Sequence, residues 1–335
     1  MKHRMSIFVI SSLLIVSSGA WLPGNLALTA QAQDARVSIE PRSKPAASGT
    51  ADRIDSSFAV TGALVLVPVL VTDPQDHLVT GLDKQHFKVF EDKIEQPITH
   101  FASEDVPMTV GLVFDSSGSM GNKLQKSRAA VAEFLRIANP EDEFSLVQFS
   151  DTARLSVPLT RQGQEIQNQL MFTQSKGRTA LLDAIYLALV EMKHAHNTRK
   201  ALLIISDGGD NSSRYTTKEV KTLVQESDVQ IYSIGIFESM SRRSQTPEEL
   251  NGPDLLGEVA NQSGGRLFEI QDLNELPDVA SKIAVALRNE YVLGFSPTAA
   301  KRDGKYHRIQ VKMARVKGVP PLRAFFRSGY YAATE

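Results

Sequence analysis

Three short polar runs hold the residue types most able to do chemistry. The first is Asp115-Ser116-Ser117-Gly118-Ser119, directly after the apolar run Thr109 to Phe114. The second is Ser206-Asp207-Gly208-Gly209-Asp210, directly after Ala201 to Ile205. Between them lies Gly177-Arg178-Thr179-Ala180-Leu181. A carboxylate followed by three hydroxyls within four residues offers oxygen ligands only. Such hard ligands suit Mg²⁺, Mn²⁺ or Ca²⁺ rather than zinc or copper. Thr179 read alone is a helix cap, and Asp210 is either a further ligand or a solvated loop acid.

Strands must deliver these runs to one place. Thr109 to Phe114 and Ala201 to Ile205 are continuous apolar runs, as strands covered on both faces require. Both acids then sit at strand carboxyl ends, where open α/β sheets bind ligands. Further strands are expected at Phe144 to Phe149, Leu155 to Leu159, Val229 to Ile236 and Arg266 to Ile270. Helical stripes alternate with them. They run from about Asn122 through Ala138, Leu181 to Met192, Val220 to Val224, Leu255 to Ala260 and Leu276 to Leu287. The alternation predicts an α/β domain over residues 106–290, a doubly wound, mostly parallel sheet with helices on both faces.

β-rich segments flank it, at 53–105 and 291–335. The first contains Ala63 to Val71 (with Pro68 marking an edge or bulge), Phe87 to Phe90, and Ile98 to Phe101. The second contains a long-looped hairpin, Tyr291 to Phe295 with His307 to Met313, and a strand at Leu322 to Phe326. Neither has enough strands to bury a face alone. They are expected to pack together as one small β-sandwich interrupted by the α/β domain. Residues 1–32 read as a cleaved export signal. Lys2 and Arg4 precede an apolar stretch too short to span a membrane, and Ala30-Gln31-Ala32 offers a cleavage site. Residues 33–52 read as a flexible linker. A secreted or periplasmic protein with no stable membrane anchor follows.

Composition narrows the function classes. Over 335 residues, 42% hydrophobic and 22% charged, the chain can build a packed core. Its net charge of −1 argues against nucleic-acid binding by charge. The absence of cysteine removes thiol catalysis, disulfides and Cys-ligated zinc. No Gly-x-Ser-x-Gly elbow and no phosphate-binding Gly-Lys-Ser/Thr loop occurs. A haloacid-dehalogenase-type phosphotransferase needs a second Asp where Ser117 stands. His194 and His196 are two apart, do not share a helix face, and read as surface residues. Arg242-Arg243 lies in a polar stretch, Glu238 to Gly252, read as a solvated loop. No acid–base pair or nucleophile emerges, so a binding protein is expected rather than an enzyme.

Asp115, Ser117, Ser119, Thr179 and Asp207 together resemble the von Willebrand factor type A domain and its metal-ion-dependent adhesion site (MIDAS), an Asp-x-Ser-x-Ser run with a distant Thr and a distant Asp. The resemblance covers about residues 106–290. It implies that Ser117, Ser119 and Thr179 coordinate one divalent ion directly, with Asp115 and Asp207 balancing its charge. It also implies an open coordination position for an Asp or Glu carboxylate of a protein partner, in the manner of adhesion proteins. The alternative is an envelope or surface assembly protein whose ion only stabilises the loops. The flanks are similar to bacterial secreted proteins of the acidobacterial-type group of this superfamily. That likeness rests on Val79-Thr80-Gly81-Leu82, Phe87 to Asp92, Tyr291 to Phe295, Asp303 to Tyr306 and Arg327 to Tyr330.

Overall fold

The computed structural model describes residues 64–103, 105–237, 247–297, 303–315, 318 and 320–332. The expected export signal at 1–32, the expected linker at 33–52 and Arg242-Arg243 lie outside the described residues. The chain opens with β1 (Val65–Thr72), β2 (Phe87–Glu91), β3 (Ile94–Gln96) and β4 (His100–Ala102). It continues with β5 (Met108–Asp115), α1 (Leu124–Ile137), β6 (Glu143–Phe149), β7 (Ala153–Thr160), α2 (Gly163–Met171), α3 (Leu181–Glu191), β8 (Arg199–Ser206), α4 (Thr217–Glu226), β9 (Val229–Ile236), α5 (Pro247–Ser263), β10 (Leu267–Ile270) and α6 (Leu276–Arg288). It closes with β11 (Tyr291–Phe295), β12 (Tyr306–Met313), β13 (Arg323–Phe325) and β14 (Gly329–Tyr331).

The α/β domain is a six-stranded sheet in the order β10-β9-β8-β5-β6-β7. All its pairs are parallel except β6 with β7, which form an antiparallel hairpin. Every residue of β5 and β9 is buried, which explains why their sequences do not alternate. Successive side chains go to opposite faces. Leu112, Phe114, Leu203 and Ile205 pack with Val131, Phe134, Ile166, Ile283 and Leu287. Val113, Leu202 and Ile204 pack on the other face with Ile185, Leu189, Val220, Val224 and Val259. Two helix layers thus cover the sheet, α1, α2 and α6 on one side and α3, α4 and α5 on the other. Each buried Leu or Ile contributes roughly 1.5–3 kcal/mol.

The flanking segments form two four-stranded sheets, β13-β1-β11-β4 and β14-β12-β2-β3. Each combines strands from before and after the α/β domain. Their inner faces share one apolar cluster that includes Val67, Val69, Val89, Leu293, Phe295, Ile309 and Val311. The motif residues of the flanks are tied across this boundary. The Tyr291 hydroxyl donates to Val79 O and accepts from Leu82 N, and the Tyr330 hydroxyl donates to Glu91 at 2.5 Å. Pro68 faces Val292 of β11, while β13 joins the other side of β1 only from Leu70 onward. The missing N–H therefore breaks no ladder of three strands.

The structure corrects two readings. β11 and β12 do not form a hairpin. β11 pairs with β1 and β4, and β12 pairs with β2 and β14 in the other sheet. β11 is buried throughout, whereas β12 alternates, so the two strands suit different positions. The polar stretch ending at Gly252 is not all loop, because α5 begins at Pro247. Three elements carried too little pattern to be expected. α2 has only Ile166 and Leu170 buried, and β3 and β14 span three residues each.

Candidate metal centre

β5 carries Asp115, fully buried, to the carboxyl edge of the sheet between β6 and β8. Both carboxyl oxygens are engaged. Oδ1 accepts from Ser117 N at 2.8 Å, and Oδ2 accepts from the Ser206 hydroxyl at 2.5 Å. Ser206 is the last residue of β8, so Asp115 is fixed by the neighbouring strand as well as its own loop. Ser116 turns the other way. Its N–H and its hydroxyl both donate to Phe149 O at 2.8 Å. Of the three serines only Ser117 and Ser119 remain together, their hydroxyl oxygens 3.1 Å apart. Ser117 is buried and Ser119 is exposed, so the site opens to solvent at the Ser119 end.

The loop before α3 is stapled to this run. The Ser175 hydroxyl donates to Ser117 O at 2.5 Å, Lys176 N donates to Ser116 O at 2.9 Å, and Gly118 N donates to Gly177 O at 3.0 Å. Gly177 has φ +81°, and a Cβ there would lie 2.3 Å from the Asp151 carboxylate. Only glycine permits this close approach. Thr179 is buried and gripped through its backbone. Its N–H donates to Asn211 Oδ1 at 2.9 Å, and its carbonyl accepts from Asn211 N and Ser212 N at 3.0 and 3.1 Å.

Thr179 does not cap α3. That task falls to the loop after β8. Asp210 Oδ1 accepts from Leu182 N at 3.2 Å, and the Ser213 hydroxyl accepts from Asp183 N at 3.1 Å. Asp210 is therefore committed to helix amides and to the Ser213 hydroxyl at 2.6 Å. The Thr179 side chain is released from the role that its position before a helix suggested.

Asp207 follows β8 and is buried. Its Oδ2 accepts from Lys123 Nζ at 3.1 Å, an ion pair with both side chains less than 10% exposed, at 9% and 8%. Burial, and next the negative charge of Asp207, push the Asp115 carboxyl up to about 7, against the hydrogen bonds from Ser117 and Ser206 that lower it. The two acids therefore share one electrostatic environment that favours a cation. Hydroxyl and carboxylate oxygens are the donor types a hard divalent ion takes, and the Lys123 ammonium is already paired with one of the two acids. Among the described residues no three His, Cys, Asp or Glu side chains are placed to hold a metal, so hydroxyl donors must complete any such set.

Lys123, Ser206 and Gly177 were not singled out from the sequence. Lys123 stands four residues after Ser119, at the start of the helix expected from about Asn122. His194 and His196 are exposed, and His196 pairs with Glu143 at the opposite end of the sheet, at 2.9 Å.

Residues 110–209 match the von Willebrand factor type A domain, a span that contains all five motif positions. An uncharacterised protein of Borreliella burgdorferi is 27% identical over 210 residues, which cover 53% of this chain and 61% of that protein. The chain thus spans less than two thirds of that relative's length. Among solved structures, a von Willebrand factor type A protein of Catenulispora acidiphila aligns with TM-score 0.48 and 13% identity over 82% of this chain and 74% of its own. Mussel byssus proximal thread matrix protein 1, with a zinc-occupied MIDAS motif, aligns with TM-score 0.45 and 17% identity over 59% and 49%. The chain thus contains a von Willebrand factor type A domain, matched over residues 110–209.

Proposed function

We propose that this chain is an exported binding protein. Asp115, Ser117, Ser119, Thr179 and Asp207 hold one divalent cation, Mg²⁺, Mn²⁺ or Ca²⁺, and capture an Asp or Glu carboxylate of a protein partner. The observation that carries the reading is the pair of hydroxyls, Ser117 and Ser119, 3.1 Å apart beside a buried Asp115 whose carboxyl is held on both oxygens. A divalent cation bound there supplies positive charge that few direct carboxylate ligands neutralise, so it attracts an outside anion. The chain's part is positional. Ser206 and the Ser117 amide orient Asp115, the 175–177 loop fixes the backbone of Ser116 to Gly118, and the 210–213 loop caps α3 so that Thr179 is free to bind. The exposed Ser119 side leaves a route for the partner.

The domain limits proposed are an export signal at 1–32, a linker at 33–52, and β segments at 53–105 and 291–335 around the binding domain at 106–290. Among the described residues no helix is long and apolar enough to cross a membrane. Titration calorimetry of the purified protein with Mg²⁺, Mn²⁺, Ca²⁺ and Zn²⁺ tests the ion, and pull-down from envelope extracts with and without chelator tests the partner. Saturable binding of one ion, abolished in Asp115→Ala, is expected, together with capture that chelator releases. Unchanged binding in Asp115→Ala refutes the ligand set. A lower melting temperature on chelation, with no partner competing for the ion, makes the cation architectural instead.

A further inference from the structure

We infer that Lys123 is a fixed counter-charge to the cation site. Its ammonium weakens cation binding and leaves the loaded site more positive toward a partner's carboxylate. The inference rests on the metal-site reading above and goes beyond it, because it assigns a role to a residue outside the five ligands. Three observations carry it. Lys123 is buried and its ammonium lies 3.1 Å from Asp207 Oδ2. Its backbone is locked, with Lys123 N donating to Met120 O at 3.0 Å and Lys123 O accepting from both Ser127 N and the Ser127 hydroxyl, at 3.0 and 3.1 Å. It occupies the N-cap position of α1, a helix of 14 residues, and makes no side-chain cap bond there.

Helix physics argues against a lysine at this position. A helix amino terminus favours Ser, Thr, Asp or Asn as its cap. The helix dipole disfavours a cation there, and burial of an ammonium is costly without a charged partner. Among the described residues Asp207 supplies that partner, so the lysine is explained by the site and not by the helix. Asp115 and Asp207 are the acids that offset the charge of a bound dication. The Lys123 ammonium, 3.1 Å from Asp207 Oδ2, adds one positive charge to that balance, and a more positive loaded site draws a partner's anion more strongly. The same charge repels the cation, so Lys123 exchanges affinity for the ion against grip on the partner. It is a positioning and tuning residue, and not a ligand.

The test compares wild type with Lys123→Met, Lys123→Gln and Lys123→Arg by calorimetric titration with Mg²⁺ and by melting temperature with and without saturating Mg²⁺. Removing a unit charge a few ångström from the ion, at an effective dielectric of about 20, is expected to tighten Mg²⁺ binding by about tenfold or more. Lys123→Arg should stay close to wild type. The cation-free Met and Gln variants lose a buried pair and should melt lower, while their rise in melting temperature on adding Mg²⁺ should exceed that of wild type. Acetate, as a carboxylate probe, should bind the Mg²⁺-loaded wild type more tightly than the loaded Met variant. Mg²⁺ affinity in the Met and Gln variants equal to or weaker than wild type overturns the inference and makes the ion pair purely structural. Saturable Mg²⁺ binding by wild type with no change in the variants defeats only this inference. Absence of binding in all four proteins defeats the metal-site reading with it. Binding that emerges only on loss of the lysine supports the inference.

Discussion

Glu290 offers a stability test away from the candidate metal centre. It lies just before β11 and is 1% exposed. Its carboxylate accepts from Arg199 at 2.7 Å, Gln230 at 3.0 Å and the Tyr232 hydroxyl at 2.9 Å. Arg199 begins β8 and is itself buried. The group therefore joins the starts of two α/β strands to the first strand of the β segment that follows. Glu290→Ala leaves the Arg199 guanidinium in the interior with backbone carbonyls of Leu287 and Val106 but no counter-charge. Breaking a buried pair by removing one partner costs about 3–5 kcal/mol, a large part of the 5–15 kcal/mol that typically separates native from unfolded states. With a urea slope near the upper end of about 1–3 kcal/mol/M, the unfolding midpoint should fall by about 1–2 M. Urea unfolding followed by circular dichroism reads this, and the slope must stay unchanged for the comparison to hold. Combining Arg199→Met with Glu290→Leu should restore part of the loss, because no charge is then stranded. A midpoint for Glu290→Ala within about 0.3 M of wild type, at equal slope, would refute the assignment.

Two other substitutions probe the loops and the β segments. Gly177→Ala must place a Cβ against the Asp151 carboxylate at 2.3 Å and hold φ +81°. It should cost about 1–2 kcal/mol from the left-handed backbone alone, and it should weaken Mg²⁺ binding by displacing the loop stapled to Ser116 and Ser117; unchanged melting and unchanged titration would contradict that. His307 is nearly buried between two acids, Nδ1 to Asp92 at 2.8 Å and Nε2 to Asp303 at 3.2 Å. Burial lowers its pKa, but the two carboxylates outweigh burial and raise it above the ordinary 6.5. The raised folded value means that its stabilisation is fully present below about pH 6.5 and is lost as pH rises through that higher value. Melting temperature should therefore fall across that interval in wild type and change less in His307→Gln; parallel curves would show that the imidazolium contributes nothing.

What could be read from the sequence follows from how far each interaction reaches along the chain. The core strands were legible because β5, β8 and β9 are buried on both faces, and such burial writes itself as an uninterrupted apolar run. Asp115 and Asp207 could be placed at one sheet edge for the same reason, since a strand that ends in an acid states where that acid stands. The pairing of β11 was not legible. Tyr291 to Phe295 is joined to β1 and β4, strands about 190 to 230 positions earlier, and no turn chemistry nearby announces it. The roles of individual hydroxyls were hidden by the same distance. Ser116 and Ser117 are adjacent and chemically identical, yet the carbonyl of Phe149 turns one away and leaves the other beside Ser119. Thr179 carried a helix-cap signal that local rules read correctly as a preference. That preference was overridden because Asp210 and Ser213, on a loop after β8, reach the first amides of α3 first. Lys123 shows the limit most sharply. By position it is a lysine at the start of an amphipathic helix, and a lysine there is expected on the solvated face. Its environment is written at Asp207, on another strand. The motif supplies the proposed ligands, but the cation paired with Asp207 is contributed by a residue the motif does not contain.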